Sequence, residues 1–491
     1  MNYPERVAIP VRKQRSALSE RRIKYFIHFY SHCFVLIVFF ANFASKTKMM
    51  KNIEIRDFRC FRQLSVDLTP GINLFIGDNA SGKTSFLLAC KYAINCFFSG
   101  YSNLYTVWTV PQKDDFLHLI LGEKRMDTQP INIGFSYFHN DFEEGSDFGL
   151  DDGALVLTCK NEKSRKPLIS GLRSLRDYGR FLSENAFGSE SGTTITQRVA
   201  LPLIASYSTR GIHKKQSVNS NYFKEINQSP AFGYYLCAST DGLLEHWIRR
   251  LLVLEEADKN PIERKIVIDA LHDMFGSEGC DVIRNFDIRI NYKDVVCLFN
   301  DGREIPVSIL SDGYRRLVSI VVDIAFRCAL LNSMKYGTDA ARLTKGTVII
   351  DEIDLHLHPS LQAEVLKALH HTFPGIQFIV STHAPMVMSG VESDADHCVM
   401  YMDYDPVTMD YEAERVNTYG MDLSTLAETV LKLPSRNPAV KQDLDLLADY
   451  VDQEEYENAK ILLADLKQRF GDRLPELSGF DTQITIEETL R

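Results

Sequence analysis

The chain has 491 residues, 45% of them hydrophobic, and a net charge of −10. That length supports a large buried core and roughly two to four domains, and the acidic balance excludes bulk electrostatic binding of nucleic acid, so any such contact needs a local basic patch. Its ten cysteines occur singly, with no CxxC pair; this fits reduced thiols in a cytoplasmic protein and excludes a disulfide framework or a thiolate zinc site.

Residues 1–24 are basic (Arg12, Lys13, Arg15, Arg21, Arg22, Lys24), and Tyr25–Ser45, YFIHFYSHCFVLIVFFANFAS, is apolar. A membrane span and a signal sequence share that outline. Two histidines, several polar residues and the lack of a small-x-small cleavage site weaken both. Met49-Met50 leads straight into strand-like KNIEIRDFRCF, so an upstream misassigned start fits best; a membrane anchor and an ordered extension remain the alternatives. The runs IEIRDF and LSVDL alternate apolar and polar residues and predict a β-hairpin within 50–70. GINLFIG predicts a buried strand and SGKTSFLLACKYAINCFF a helix. Strand-like runs follow at INIGFSYF, ALVLTCK and LPLIASYS. Residues 160–180 are basic (Lys160, Lys163, Arg165, Lys166, Arg173, Arg176, Arg180), and Gly188–Thr196 has the composition of a mobile loop. Residues 241–275 predict helices. The last third alternates helix and strand: a helix over about Gly313–Leu331, a strand at TVIID, a helix at about Ser360–His371 and a strand at QFIVST. Beyond 422 the pattern becomes helical in LSTLAETVLKL, AVKQDLDLLADYVDQ and EEYENAKILLADLKQRFG, the last two forming an αα-hairpin ended by Gly471. No heptad array is long enough for coiled-coil arms.

Three stretches carry chemistry. Gly77-Asp78-Asn79-Ala80-Ser81-Gly82-Lys83-Thr84 matches G-x-x-x-x-G-K-[ST] between a predicted strand and a predicted helix, the context the motif requires. Its glycines let backbone N–H groups turn inward on phosphates, and the helix N-terminus adds positive potential. Lys83 suits the β- and γ-phosphates of ATP, the Thr84 hydroxyl suits Mg²⁺, and Ser85 extends the set. The strand Thr347–Ile350 delivers Asp351-Glu352, a Walker B pattern: Asp351 for the Mg²⁺ shell and Glu352 to activate water. In DLHLHPSLQ, His356 and His358 look like a metal pair, but no second ligand set stands at ligand spacing, so a turn is the stronger reading. His383, after QFIVST, lies where it can reach a γ-phosphate.

In this order, GDNASGKT, LSDGYRR, VIIDEIDLHLHP and IVSTHAP resemble the ABC-type ATPase heads of the RecF, SMC and OLD group, over about residues 50–100 and 300–405. The resemblance implies an α/β P-loop head of mixed sheet and flanking helices, with an inserted middle region and a C-terminal helical hairpin. The corresponding domains are a 1–48 extension, a 49–125 first lobe, a 126–300 insertion, a 301–421 second lobe and a 422–491 partner-docking tail. It implies that SILSDGYRR is the signature motif, with exposed Ser311, Gly313 and Arg315 offered to the nucleotide of a second subunit. It also implies that Pro359 lies in the D-loop region and that His383 is the switch histidine. Arg59 of RDFRCFR would lie near the nucleotide, and Gln112 is the candidate Q-loop residue. ATP and Mg²⁺ are the implied ligands and a homodimer or higher oligomer the implied assembly.

Within that group the missing coiled coils separate the chain from SMC proteins. Asp403-Tyr404-Asp405 lacks the Glu-Gly strand end of a Toprim nuclease, and no HNH-like cluster is present. The layout and EEYENAKILLADLKQRFGD are similar to the ATPase subunits of Septu-type and retron-associated anti-phage systems. That resemblance implies a separately encoded HNH-type nuclease partner, possible association with a retron reverse transcriptase and possible contact with nucleic acid. The alternatives are a RecF-like repair ATPase clamping DNA through 160–180 and a membrane-anchored transport ATPase, against which the signature and the lone apolar segment speak.

Overall fold

The computed structural model describes residues 49–490 apart from 102, 104, 107, 118–119, 122–123, 126–129, 138–154, 160–167, 171, 190–194, 209–217, 227, 239–242 and 435. The N-terminal basic and apolar segments, and Lys160, Lys163, Arg165 and Lys166, lie outside the described residues. The chain divides into two compact units at Gly420/Met421.

The first unit opens with the expected hairpin, β1 (Met50–Phe58) and β2 (Phe61–Asp67). Both strands alternate buried and exposed residues, the mark of a sheet with one face on the core. β3 (Ile72–Ile76) is buried on both faces and leads into α1 (Lys83–Asn95). β4 (Ile131–Tyr137), β5 (Leu155–Cys159) and β6 (Leu168–Ser170) extend the hairpin into an antiparallel sheet of order β2-β1-β4-β5-β6. After α2 (Arg173–Asn185), the expected loop at Gly188–Thr196 is partly replaced by a short antiparallel hairpin, Phe187–Ser189 with Ile195–Gln197. The rest of that stretch lies outside the described residues.

β7 (Leu203–Tyr207) joins the central sheet. It is followed by α3 (Leu244–Glu256), α4 (Pro261–Phe275) and a small antiparallel sheet, β8 (Ile283–Arg289), β9 (Asp294–Phe299) and β10 (Glu304–Pro306). The long helix α5 (Asp312–Tyr336) runs further than its periodic stretch suggested, and then come β11 (Gly346–Ile350), α6 (Pro359–Thr372), β12 (Ile376–Ser381), β13 (Cys398–Asp405) and β14 (Asp410–Val416). The central sheet has the order β7-β11-β12-β3-β13-β14, parallel except for the last strand. β7, β11, β3 and β12 are buried throughout, as parallel strands covered on both faces require. Their carboxyl ends bring the phosphate loop after β3, Asp351 after β11 and His383 after β12 to one rim, where ligands of parallel sheets bind.

By length and composition alone, Asp312–Leu343 passes for a membrane span, yet 83% of its apolar window is buried in this unit. Its middle carries a buried polar network. Arg327 donates two bonds to Asp323, at 2.6 and 3.0 Å, and caps the carbonyls of Gly233 and Tyr235. Asp323 also accepts from Trp247 Nε1 at 2.6 Å and Tyr207 Oη at 2.7 Å. The network ties α5 to α3 and to the end of β7 with its charges fully paired, the condition under which buried ions are tolerated.

The second unit holds α7 (Pro438–Asp452), α8 (Tyr456–Phe470) and α9 (Glu476–Leu490). The expected αα-hairpin is present and ends at Gly471, which takes a left-handed φ of 58°. A third helix extends it. Leu477 and Ile484 of α9 are buried with Leu447, Val451, Leu463 and Leu466 in one core.

Candidate nucleotide site

The phosphate loop takes its shape from residues with left-handed φ: Gly77 (138°), Ala80 (67°) and Gly82 (93°). Both glycines are also tightly approached. A Cβ at Gly77 would lie 2.2 Å from the Met402 carbonyl oxygen, and one at Gly82 would lie 2.8 Å from the Phe61 ring. Asp78, Asn79 and Ala80 are exposed, while Ser81 and Lys83 are buried. Lys83 folds back into the loop, where Nζ donates to Gly77 O at 2.8 Å, Asp78 O at 2.7 Å and Ser81 Oγ at 3.1 Å. Burial lowers its pKa from 10.5 to about 8, against the opposing pull of Asp351 and Asp78.

Facing the loop, Asp351 is buried and its N–H is bonded to Tyr207 O at 2.9 Å. Asp351 Oδ1 accepts from Thr84 Oγ1 at 3.3 Å and from Ser381 Oγ at 2.6 Å. Glu352 adopts φ 52°, a left-handed value unusual outside glycine, and its N–H donates to Ser381 Oγ at 2.9 Å. Asp354 Oδ1 accepts from Thr382 Oγ1 at 2.6 Å and from the His383 N–H at 3.3 Å. His383 reaches solvent at the rim; desolvation by the groups packed around it, and then the charge of Lys83, lower its pKa, which keeps the imidazole neutral further into the acid range.

The donor set suits a hard divalent cation. A threonine hydroxyl and a carboxylate meet at 3.3 Å, with a serine hydroxyl orienting the carboxylate from behind. The His356–His358 pair has a different role: His358 Nδ1 accepts from the Ser360 N–H and caps α6 ahead of Pro359. Among the described residues no group of three or more His, Cys, Asp or Glu side chains is gathered as a metal site.

The other expected residues make contacts of their own. Arg59 Nε pairs with Asp115 Oδ1 at 2.8 Å. Asp115 Oδ2 also accepts from Tyr92 Oη at 2.6 Å and from the Gln112 N–H at 2.7 Å. Arg59 and Gln112 therefore converge on one buried carboxylate, and the Gln112 side chain turns back to Val110 O. Ser311 is exposed at the N-terminus of α5. Gly313, expected to be exposed, is buried: a Cβ there would lie 2.1 Å from the His356 carbonyl oxygen, so close packing of α5 on the turn after β11 requires this glycine. Arg315 pairs with Glu245 of α3 at 3.1 Å. Of the basic 160–180 segment, Arg180 is exposed beside Asp177 on α2.

Three residues at the rim escaped the motif reading: Ser381, Asp354 and Arg316. Arg316 Nη2 donates to Asp351 O at 2.7 Å and Nη1 to Glu352 O. A signal for it existed, because Gly313 and Arg316 are three apart and share a helix face that Arg315 does not.

A largely parallel sheet whose rim joins a P-loop lysine and threonine to a strand-end Asp-Glu pair defines a P-loop NTPase core. Residues 72–389 match the family described as "AAA domain, putative AbiEii toxin, Type IV TA system", and the chain belongs to that family. It is 42% identical over 108 residues to the Retron Vc95 probable ATPase of Vibrio cholerae serotype O1 biovar El Tor, covering 22% of this chain and 20% of that one. It is 34% identical over 181 residues to the Retron Ec83 probable ATPase of Escherichia coli, covering 35% and 31%. It is 23% identical over 361 residues to the Septu protein PtuA of Bacillus mycoides (strain KBAB4), covering 71% and 40%. The matches thus span less than half the length of these relatives.

Proposed function

We propose that this chain binds and hydrolyses ATP with Mg²⁺ in a sandwich between two copies, and that the cycle regulates a separately encoded effector nuclease in cytoplasmic anti-phage defence. The observation that carries the first half is the convergence of Lys83 and Thr84, from one loop, on Asp351 and Glu352, from another. Lys83 exchanges the Gly77 and Asp78 carbonyls for phosphate oxygens. Mg²⁺, when bound, would supply positive charge against the nucleotide's phosphates. Thr84 and Asp351 are the residues to hold it, and Ser381 fixes the rotamer of Asp351. Glu352 accepts the proton of the attacking water, and His383 contacts the γ-phosphate. Ser311 and the N-terminus of the 25-residue α5 of a second copy close the site, with a hydroxyl and backbone N–H groups turned to phosphate.

The second half is supported by the retron and Septu names of the relatives and by the acidic helical unit 421–491, which offers a docking surface for the nuclease. Glu352→Gln tests the first half. It should bind ATP, hold it and accumulate as an ATP-dependent dimer, and unchanged oligomer size with ATP would remove the sandwich. Co-expression with the product of the adjacent gene tests the second half: a complex lost on deleting 422–491 supports it, and no complex refutes it.

A further inference from the structure

The turn after β11 is held in a conformation it would not adopt alone. A non-glycine residue at φ 52° persists when its surroundings over-determine it. Three attachments do so for Glu352. The Asp351 N–H is fixed to Tyr207 O, and Ser381 Oγ bridges the Asp351 carboxylate and the Glu352 N–H. Arg316 spans the two successive carbonyls of Asp351 and Glu352 with its two terminal nitrogens. A planar guanidinium meets two such acceptors with two nitrogens held in a fixed geometry, whereas a shorter lysine must reach both from a single nitrogen. The first two attachments come from the neighbouring strands of the sheet. The third comes from α5, one turn after Ser311. The same helix turn touches the loop again at Gly313, packed beneath the His356 carbonyl.

We infer that Arg316 is a positioning residue for Glu352, and that it ties the signature helix of each subunit to that subunit's own Asp351–Leu357 turn. The inference rests on the ATPase reading above. In a sandwich dimer the start of α5 serves the nucleotide bound by the partner subunit, whereas Glu352 serves the nucleotide bound by its own. Phosphate docking at Ser311 pulls on the first turn of α5, and Arg316 passes that displacement to the carbonyls beside Glu352. Each nucleotide site therefore senses the occupancy of the other.

The test compares full-length wild type, Arg316→Met and Arg316→Lys. Without nucleotide, amide exchange in a peptide spanning 346–358 should rise about tenfold in Arg316→Met. Steady-state turnover should fall about 10- to 100-fold, the scale of a slightly misplaced catalytic group, with KM within about threefold. Any Hill coefficient above one in the wild type should drop to one, and Arg316→Lys should fall between. Unchanged exchange and turnover overturn the inference. So does loss of ATP binding and of thermal stability in parallel with turnover, because that pattern belongs to a residue that only supports the fold. A wild type that binds but never hydrolyses ATP instead overturns the hydrolysis reading, and this inference with it.

Discussion

Lys83 gives a prediction that pH alone can test. In the nucleotide-free protein its ammonium is buried in the phosphate loop, with a pKa lowered from 10.5 to about 8. Phosphate oxygens replace neutral carbonyls on binding and favour the charged form, so binding above pH 8 must be accompanied by proton uptake. ATP affinity should therefore be near its ceiling at pH 7 and fall as pH rises through 8, by about tenfold per unit, or about 1.4 kcal/mol. From pH 7 to 9.5 the expected loss is about 30-fold. Equilibrium binding of a fluorescent ATP analogue across that range measures it, with Lys83→Arg as the control because a guanidinium stays charged throughout. The same titration acts on folding with the opposite sense. The unfolded lysine holds its proton up to about 10.5, so between about pH 8 and 10.5 the unfolded state binds more protons and the nucleotide-free protein gains stability as pH rises. A wild-type affinity as flat with pH as that of Lys83→Arg would refute the placement of Lys83.

Ser311→Arg should leave ATP binding by a single subunit intact and abolish ATP-driven association in sedimentation or light scattering; loss of monomer binding would mean that Ser311 serves its own subunit. Arg327→Leu leaves Asp323 charged and buried without its partner, and should cost about 3–5 kcal/mol in urea unfolding. Gly313→Ala places a methyl group against the fixed His356 carbonyl and should destabilise the protein by about 1–3 kcal/mol while lowering turnover; a wild-type melting curve would show that α5 can move away freely.

Most of the central sheet was legible because buried parallel strands are short apolar runs, and several lead into residues with obvious chemistry: glycine after β3, Asp-Glu after β11, Thr-His after β12. The phosphate loop follows from spacing alone. What escaped depends on side chains meeting across long sequence distances. Nothing local reveals that Arg59 and the Gln112 N–H meet on the Asp115 carboxylate. Gly313 read as exposed because it belongs to a small, polar stretch, while the His356 carbonyl beneath it comes from a loop more than forty residues away. α9 was missed because ELSGFDTQITIEETL carries a glycine and four β-branched residues between Gly479 and Ile486, a weak helical signal that packing overrides. Thr482 and Thr485 there turn their hydroxyls back to carbonyls four residues earlier.

The paired charges inside α5 also equip the protein with an intrinsic optical probe. The chain has two tryptophans. One of them, Trp247, is fully buried, stacked on Phe326 at 4.7 Å and hydrogen-bonded to Asp323. Its indole packs from α3 against α5, with a carboxylate held against its N–H. If the proposed nucleotide cycle shifts α5 against α3, the field at that indole changes and the emission wavelength of the unlabelled protein should report it.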